Sequence, residues 1–171
     1  MARTTSVRYD SRQLGGCRVA TEFERLNMEP ISFTLTALSA VLGIAASVSQ
    51  LATTRRISRE NAFSAFEQEA STEEKELLSD PKIRHTVLAL SIISPDLLDQ
   101  LVDEAQEAET NYIKERRKAQ KNGSIVEKER ARTKAVQFIC STLRDIILHN
   151  GGSLPDDDKL RNWSVSYDCQ I

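Results

Sequence analysis

The sequence predicts an all-α protein, and three observations lead to that prediction. Aromatic residues are scarce at 5%, and the 171-residue chain has only six Gly and four Pro, a composition that favours helices over sheets. The stretch from Ile31 to Leu51 lies in a gap without Asp, Glu, Lys or Arg. Between residues 95 and 149, apolar residues recur at intervals of three and four. The predicted architecture is an N-terminal membrane-anchoring helix followed by a cytoplasmic helical bundle with a long antiparallel helical hairpin.

These patterns divide the chain into four segments. They are a disordered or wrongly included N-terminal arm at 1–27, a transmembrane helix at 28–54, a helical cytoplasmic domain at 55–152 and an extended C-terminal tail at 153–171. Met28 immediately precedes the apolar stretch, so the sequence leaves open whether translation starts at Met1 or Met28. In the tail, Trp163, Val165 and Tyr167 alternate with polar residues, which predicts an extended conformation.

The apolar stretch has the length of a membrane span, because a helix of about 20 apolar residues crosses a bilayer. Its insertion energy is marginal, since about −4 kcal/mol from its apolar residues is mostly offset by Ser, Thr and Gln. Small and polar residues recur every three or four positions and form one seam, which suits packing against another membrane helix; they are Ser32, Thr36, Ser39, Gly43, Ser47 and Gln50. The alternative is the central helix of a soluble bundle, with this seam facing water.

Basic residues follow the apolar stretch more densely than they precede it. Arg55, Arg56 and Arg59 come directly after it. This bias places the C-terminal bulk in the cytoplasm and makes the three arginines candidates for contact with anionic lipid.

Helix-start and helix-stop residues divide the remaining chain. Predicted N-caps are Ser58, Ser71 in a capping box with Glu74, Asp80 before Pro81, Ser94 before Pro95, and Ser124. Gly123 is placed to end the first long helix, and Asn150 with two glycines ends the second. The short break between the two long helices predicts the antiparallel hairpin.

The predicted hairpin tip is basic. Residues 114–134 contain nine basic and three acidic residues, a net charge of +6. The basic residues are Lys114, Arg116, Arg117, Lys118, Lys121, Lys128, Arg130, Arg132 and Lys134. Anionic lipid or nucleic-acid phosphate could bind there, but interleaved Glu and the lack of aromatics favour a solvated tip and make nucleic acid the poorer partner.

The sequence carries no pattern typical of an enzyme or a metalloprotein. G-x-S-x-G, P-loop and G-x-G-x-x-G motifs are absent, and His85 and His149 lack ligand spacing to a cysteine. We therefore expect a non-enzymatic protein with no cofactor and no metal. Cys17, Cys140 and Cys169 are odd in number and far apart, so the sequence implies no disulfide framework and a reducing compartment is the simpler expectation.

Residues 28–56 resemble the N-termini of HeLo-like helical domains. The resemblance rests on Met28-Glu-Pro-Ile-Ser leading into a helix of Ala, Gly, Ser and Leu. Those domains occur in cell-death and conflict proteins and insert an N-terminal helix into membranes. The segment also looks like small single-pass bacterial proteins with a helical cytosolic part.

Three functions are open from the sequence. The first is a membrane-anchored, non-enzymatic interaction module, with lipid and a protein or a second copy as partners. The second is a soluble helical adaptor that buries residues 31–51. The third, implied by the HeLo-like resemblance, is a membrane-perforating effector.

Overall fold

The computed structural model describes residues 30–171, and its described residues form seven α-helices without a strand. The helices are α1 (Pro30–Arg55), α2 (Arg59–Glu69), α3 (Thr72–Leu78), α4 (Pro81–Leu90), α5 (Pro95–Asn122), α6 (Ile125–His149) and α7 (Asp158–Ser166). The predicted all-α class is confirmed. The arm predicted for 1–27 and the start at Met28 lie outside the described residues.

Capping residues set most of the helix boundaries. The Ser58 hydroxyl accepts from the Asn61 N–H at the start of α2, and Ser71 and Glu74 form the predicted reciprocal capping box of α3. Asp80 caps α4, and Gly123, with a φ of 62°, ends α5. These residues form hydrogen bonds with backbone N–H and C=O groups that a helix end leaves unpaired. Each helix can therefore end within a few residues, and the connections are short. The Ser94 prediction is only half right: Pro95 follows it at the first helical position, but its side chain makes no capping hydrogen bond.

Helix α1 provides the core of the unit formed by residues 31–171. Six of its apolar side chains are completely inaccessible to solvent: Leu35, Leu38, Val41, Leu42, Ala45 and Val48. A buried leucine or valine contributes about 1.5–3 kcal/mol relative to an exposed one. Twelve of the residues between 31 and 51 are therefore buried in the folded chain.

Other parts of the chain hold α1 at three points along its length. The Thr34 and Tyr167 hydroxyls are 2.8 Å apart at one end, and at the other the Ser49 hydroxyl donates to the Ile93 carbonyl over 2.8 Å. Between them, the Thr36 hydroxyl donates to the Glu109 carboxylate of α5 over 2.6 Å. These contacts position α1 against the C-terminal segment, the α4–α5 junction and α5.

Helix α1 also has the length and apolarity of a membrane span, with a mean hydropathy of 1.9. It is the one such helix among the described residues. Length and composition support a span only weakly, because the core helix of a soluble protein has the same properties.

Helices α5 and α6, of 28 and 25 residues, pack against each other. Only Gly123 and Ser124 separate them. The Lys134 ammonium of α6 lies 2.5 Å from the Glu115 carboxylate of α5. The pair therefore presents one face to the core and leaves another on the surface.

The extended conformation predicted for the C-terminal tail is wrong, because Asp158–Ser166 is α-helical. The alternation of Trp163, Val165 and Tyr167 fits a strand, but Val165 is 80% exposed. The buried residues are Leu160 and Trp163, three positions apart as on one face of a helix. The tail thus packs on the bundle through a helical pattern that the strand-like alternation obscures.

The expectation that the chain has no disulfide is wrong. Cys140 of α6 and Cys169, after α7, form a disulfide with their Cα atoms 5.2 Å apart. The sequence does not predict this pairing, because the two cysteines are 29 residues apart and come into contact only when α7 folds back on α6. Such bonds persist in oxidising compartments, so the redox state of this pair reports the compartment in which the protein folds.

We expect reduction of the Cys140–Cys169 disulfide to lower the free energy of unfolding by about 2–3 kcal/mol, because the bond restricts the unfolded chain. Chemical denaturation with and without reductant measures the change. Cys140→Ser/Cys169→Ser should match the reduced protein, whereas Cys17→Ser should keep the bond and the stability. Equal stability of oxidised and reduced protein would contradict this expectation.

Candidate functional site

The seam predicted on α1 is the accessible side of that helix. Its members Ser32, Thr36, Ser39, Gly43, Ser47 and Gln50 are all exposed or half-buried. Two of their hydroxyls are hydrogen-bonded: that of Ser47 donates to the Gly43 carbonyl over 3.0 Å, and that of Thr36 lies within hydrogen-bond distance of both the Ser32 carbonyl and the Glu109 carboxylate. The seam is a shallow surface of small side chains that a second helix could approach closely.

Helix α5 borders this seam. A Cβ at Gly43 would lie 3.9 Å from a methyl group of Val102, which is ordinary van der Waals contact. Together with the Thr36–Glu109 hydrogen bond, this contact places the acidic half of α5 beside the seam. A ligand on the seam would therefore meet both helices.

The three arginines after α1 do not form one lipid-facing cluster. The Arg55 guanidinium is 3.7 Å from the Glu69 carboxylate, and Arg59 Nε donates to the Ser91 carbonyl over 3.1 Å. Arg56 is exposed and ends α1 with a positive φ of 51°. Two of the three side chains thus stabilise connections between helices.

An open cavity of about 660 Å³ lies where α1, α2 and the α4–α5 junction meet. Its lining residues include Ser49, Thr53, Ile57, Ser58, Arg59, Glu60 and Ile92. The backbone N–H of Glu60 and the Ser58 hydroxyl hold the pKa of Glu60 below its usual value. The side chains of Ser58 and Arg59 are engaged in hydrogen bonds at helix ends, and the cavity is an open surface groove.

The structure divides the basic tip into two unlike faces. One face has mixed charge: Lys118, Arg130 and Lys134 line a cavity of about 220 Å³ together with Glu115 and Glu127. The other lies on α5, where an open cavity of about 600 Å³ is lined by Thr110, Ile113, Lys114, Arg117, Lys118 and Lys121. Among its described lining residues there is no acid. The tip therefore combines a face of mixed charge with one whose described lining residues include bases but no acid.

Two apolar side chains are strongly exposed beside this tip. Ile125 and Val126, in the first turn of α6, are 77% and 79% exposed. Neither packs on the core. They add a small apolar element to a surface that is otherwise charged.

A buried carboxylate that sequence reasoning did not single out joins α7 to α4. Asp157 is 2% exposed, and its oxygens accept from the backbone N–H groups of Lys159 and Leu160 and from the Thr86 hydroxyl, all within 3.0 Å. His85 Nδ1 lies 3.0 Å from the same carboxylate, and its ring is largely exposed. The Pro155-Asp156-Asp157 sequence indicates a helix start, but nothing in it points to Thr86 or His85.

A His–Asp pair can orient a general base, and that chemistry also needs a reacting group within hydrogen-bond reach. Here the carboxylate is fully used in capping α7 and in binding Thr86 and His85. We interpret the cluster as the polar joint between α4 and α7. Across residues 30–171, no group of three or more His, Cys, Asp or Glu side chains is arranged to hold a metal ion.

Compared with known proteins, the chain matches no family model, and no curated protein or solved structure resembles it significantly. Its function must therefore be argued from its own surfaces.

Proposed function

We propose that this chain is a non-enzymatic helical interaction module that works as a folded bundle with residues 31–51 in its core. The observation that carries this proposal is the complete burial of Leu35, Leu38 and Leu42, together with Val41, Ala45 and Val48. Withdrawing α1 would expose these side chains and leave the helices around it without a core. The proposal corresponds to the soluble adaptor among the three functions open from the sequence.

The proposed partner is a protein, and surfaces on α1 and α5 are available to it. The seam on α1 offers small side chains that allow a close approach, and α5 offers a long charged face beside it. The described residues that line the basic tip cavity include no aromatic side chain on which nucleic-acid bases would stack. This supports protein over nucleic acid as the partner.

A second candidate is the membrane-anchored module, with α1 as a single span and the C-terminal bulk in the cytoplasm. The length and mean hydropathy of α1 favour it, and so does the resemblance of residues 28–56 to HeLo-like domains, which extends to a membrane-perforating effector. Both the anchored module and the membrane-perforating effector require α1 to leave the bundle, which would lose the buried contacts named above. We therefore rank both behind the folded bundle.

Alkaline carbonate extraction of the full-length chain tests the proposed function. We expect the protein to stay in the supernatant without detergent, because the apolar face of α1 is internal. Ser39→Leu/Ser47→Leu makes the seam apolar and serves as the control that shifts α1 toward membrane insertion. Retention of the unmodified chain in the carbonate pellet until detergent is added would overturn the proposal in favour of the anchor.

A further inference from the structure

Helix α5 carries a charged stripe on its most exposed side. The stripe has an acidic half followed by a basic half, and all its members are exposed: Asp96, Asp99, Asp103, Glu107, Thr110, Lys114, Arg117, Lys118 and Lys121. Apart from Lys118, the intervals are three or four residues, so the members follow one line along the helix. The buried residues of α5, such as Leu98, Ala105 and Tyr112, lie on the opposite side.

The separation of acidic from basic residues contributes little to the stability of helix α5 itself. Like charges three or four positions apart repel each other, whereas alternating signs would give stabilising pairs within the helix. The helix dipole favours acids in the first turn and bases in the last, but its effect fades beyond those turns. Asp103, Glu107 and Lys114 lie outside them. Within residues 30–171, none of the stripe's charged side chains is in an ion pair.

The charges of the stripe are complementary to those of the same stripe on a second copy that runs antiparallel to it. If a second α5 lies antiparallel to the first, Asp96 faces Lys121 of the second copy, Asp99 faces its Lys118, and Asp103 faces its Lys114. The same three pairs recur in the other half by two-fold symmetry. Each copy thus offers one patch that fits itself, as an isologous dimer interface requires.

We propose that two copies of this chain associate antiparallel through the charged stripe of α5. The inference deepens the proposed function and rests on the folded bundle, because the packing of α5 against the core turns the stripe outward. An anionic lipid surface or a nucleic acid would use the basic half alone and would be repelled by the acidic half. A second copy accounts for both halves, for their segregation along the helix and for the missing internal pairs.

Charge reversal within the full-length chain tests the interface by sedimentation velocity. We expect the unmodified chain to dimerise at low salt and the dimer to weaken at least about tenfold in 0.5 M salt, because ions then screen charges beyond a few ångströms. Asp99→Lys/Asp103→Lys makes the stripe basic except for Asp96 and Glu107, and Lys114→Glu/Lys118→Glu makes it acidic except for Arg117 and Lys121. Each variant alone should be monomeric.

The decisive samples are the equimolar mixture of the two variants and the chain with all four substitutions. The mixture should form a heterodimer, and the fourfold variant should dimerise as the unmodified chain does, because each restores opposite charges across the interface. Circular dichroism checks folding, which exposed positions should leave unchanged. Carbonate extraction of the same variants separates loss of the dimer from failure of the proposed function, since monomeric variants should stay soluble.

A monomeric unmodified chain, two reversed variants that dimerise normally, or a mixture that fails to associate would each overturn the inference. Flotation with phosphatidylserine vesicles examines the competing partner. If a monomeric unmodified chain binds these vesicles and Lys114→Glu/Lys118→Glu abolishes the binding, the basic half serves a lipid surface and the dimer is refuted.

Discussion

Replacement of Leu42 by alanine is expected to lower the free energy of unfolding by about 3–5 kcal/mol, the upper range for a leucine truncated in a closed core. The side chain is completely buried in the middle of α1. Its removal leaves a cavity that the surrounding helices cannot fill without moving. Urea denaturation followed by circular dichroism measures the change in aqueous buffer.

Phe33→Ala is the matched control on the same helix. Phe33 is larger than Leu42 but 59% exposed, so its truncation should cost less than about 1 kcal/mol. Comparison of the two substitutions thus distinguishes the effect of burial on stability from the effect of side-chain hydrophobicity. Similar small effects at both positions would show that α1 is not the core of the folded chain in solution.

Replacement of Asp157 by alanine should destabilise the protein by about 3–4 kcal/mol. The change removes the N-cap of α7, a loss of about 0.5–2 kcal/mol. It also leaves the buried Leu160 N–H without its acceptor, at a cost of about 1–3 kcal/mol, and the Thr86 hydroxyl keeps only its hydrogen bond to the Lys82 carbonyl. Thermal unfolding of the variant measures the combined effect.

The neighbouring Asp156 provides the control for that experiment. Its side chain is 94% exposed and pairs with Arg161 on the surface, so Asp156→Ala should cost at most about 1 kcal/mol. Asp157→Asn keeps the shape and an acceptor oxygen and should fall between the two. Equal losses at 156 and 157 would mean that the buried joint between α4 and α7 does not form.

Local signals in the sequence locate the helix ends well, because a cap depends on residues only two or three positions apart. Ser58, Ser71 with Glu74, Asp80 and Gly123 each act at the end for which their spacing marks them. The prediction of an extended C-terminal tail was wrong for a related reason. Two local periods overlap there, and only the packing of Leu160 and Trp163 shows that the helical one is used.

Surfaces were harder to predict, because the sequence identifies which residues share a face but not what that face meets. The six seam residues do line one side of α1, yet whether that side meets lipid, a helix or water depends on where α5 lies. In the sequence, the basic residues of the hairpin tip likewise form a single cluster. Folding divides it, since Lys134 pairs with Glu115, whereas Lys114 and Lys121 lie on a face whose described lining residues include no acid.

By itself, the sequence determined the all-α class and most helix boundaries, since both follow from interactions within a few residues of the chain. Tertiary structure decided the surroundings of α1, the Cys140–Cys169 disulfide and the contact of Asp157 with Thr86 and His85. These features join residues tens of positions apart. Burial is a property of the space between helices, which a pattern along one helix does not encode.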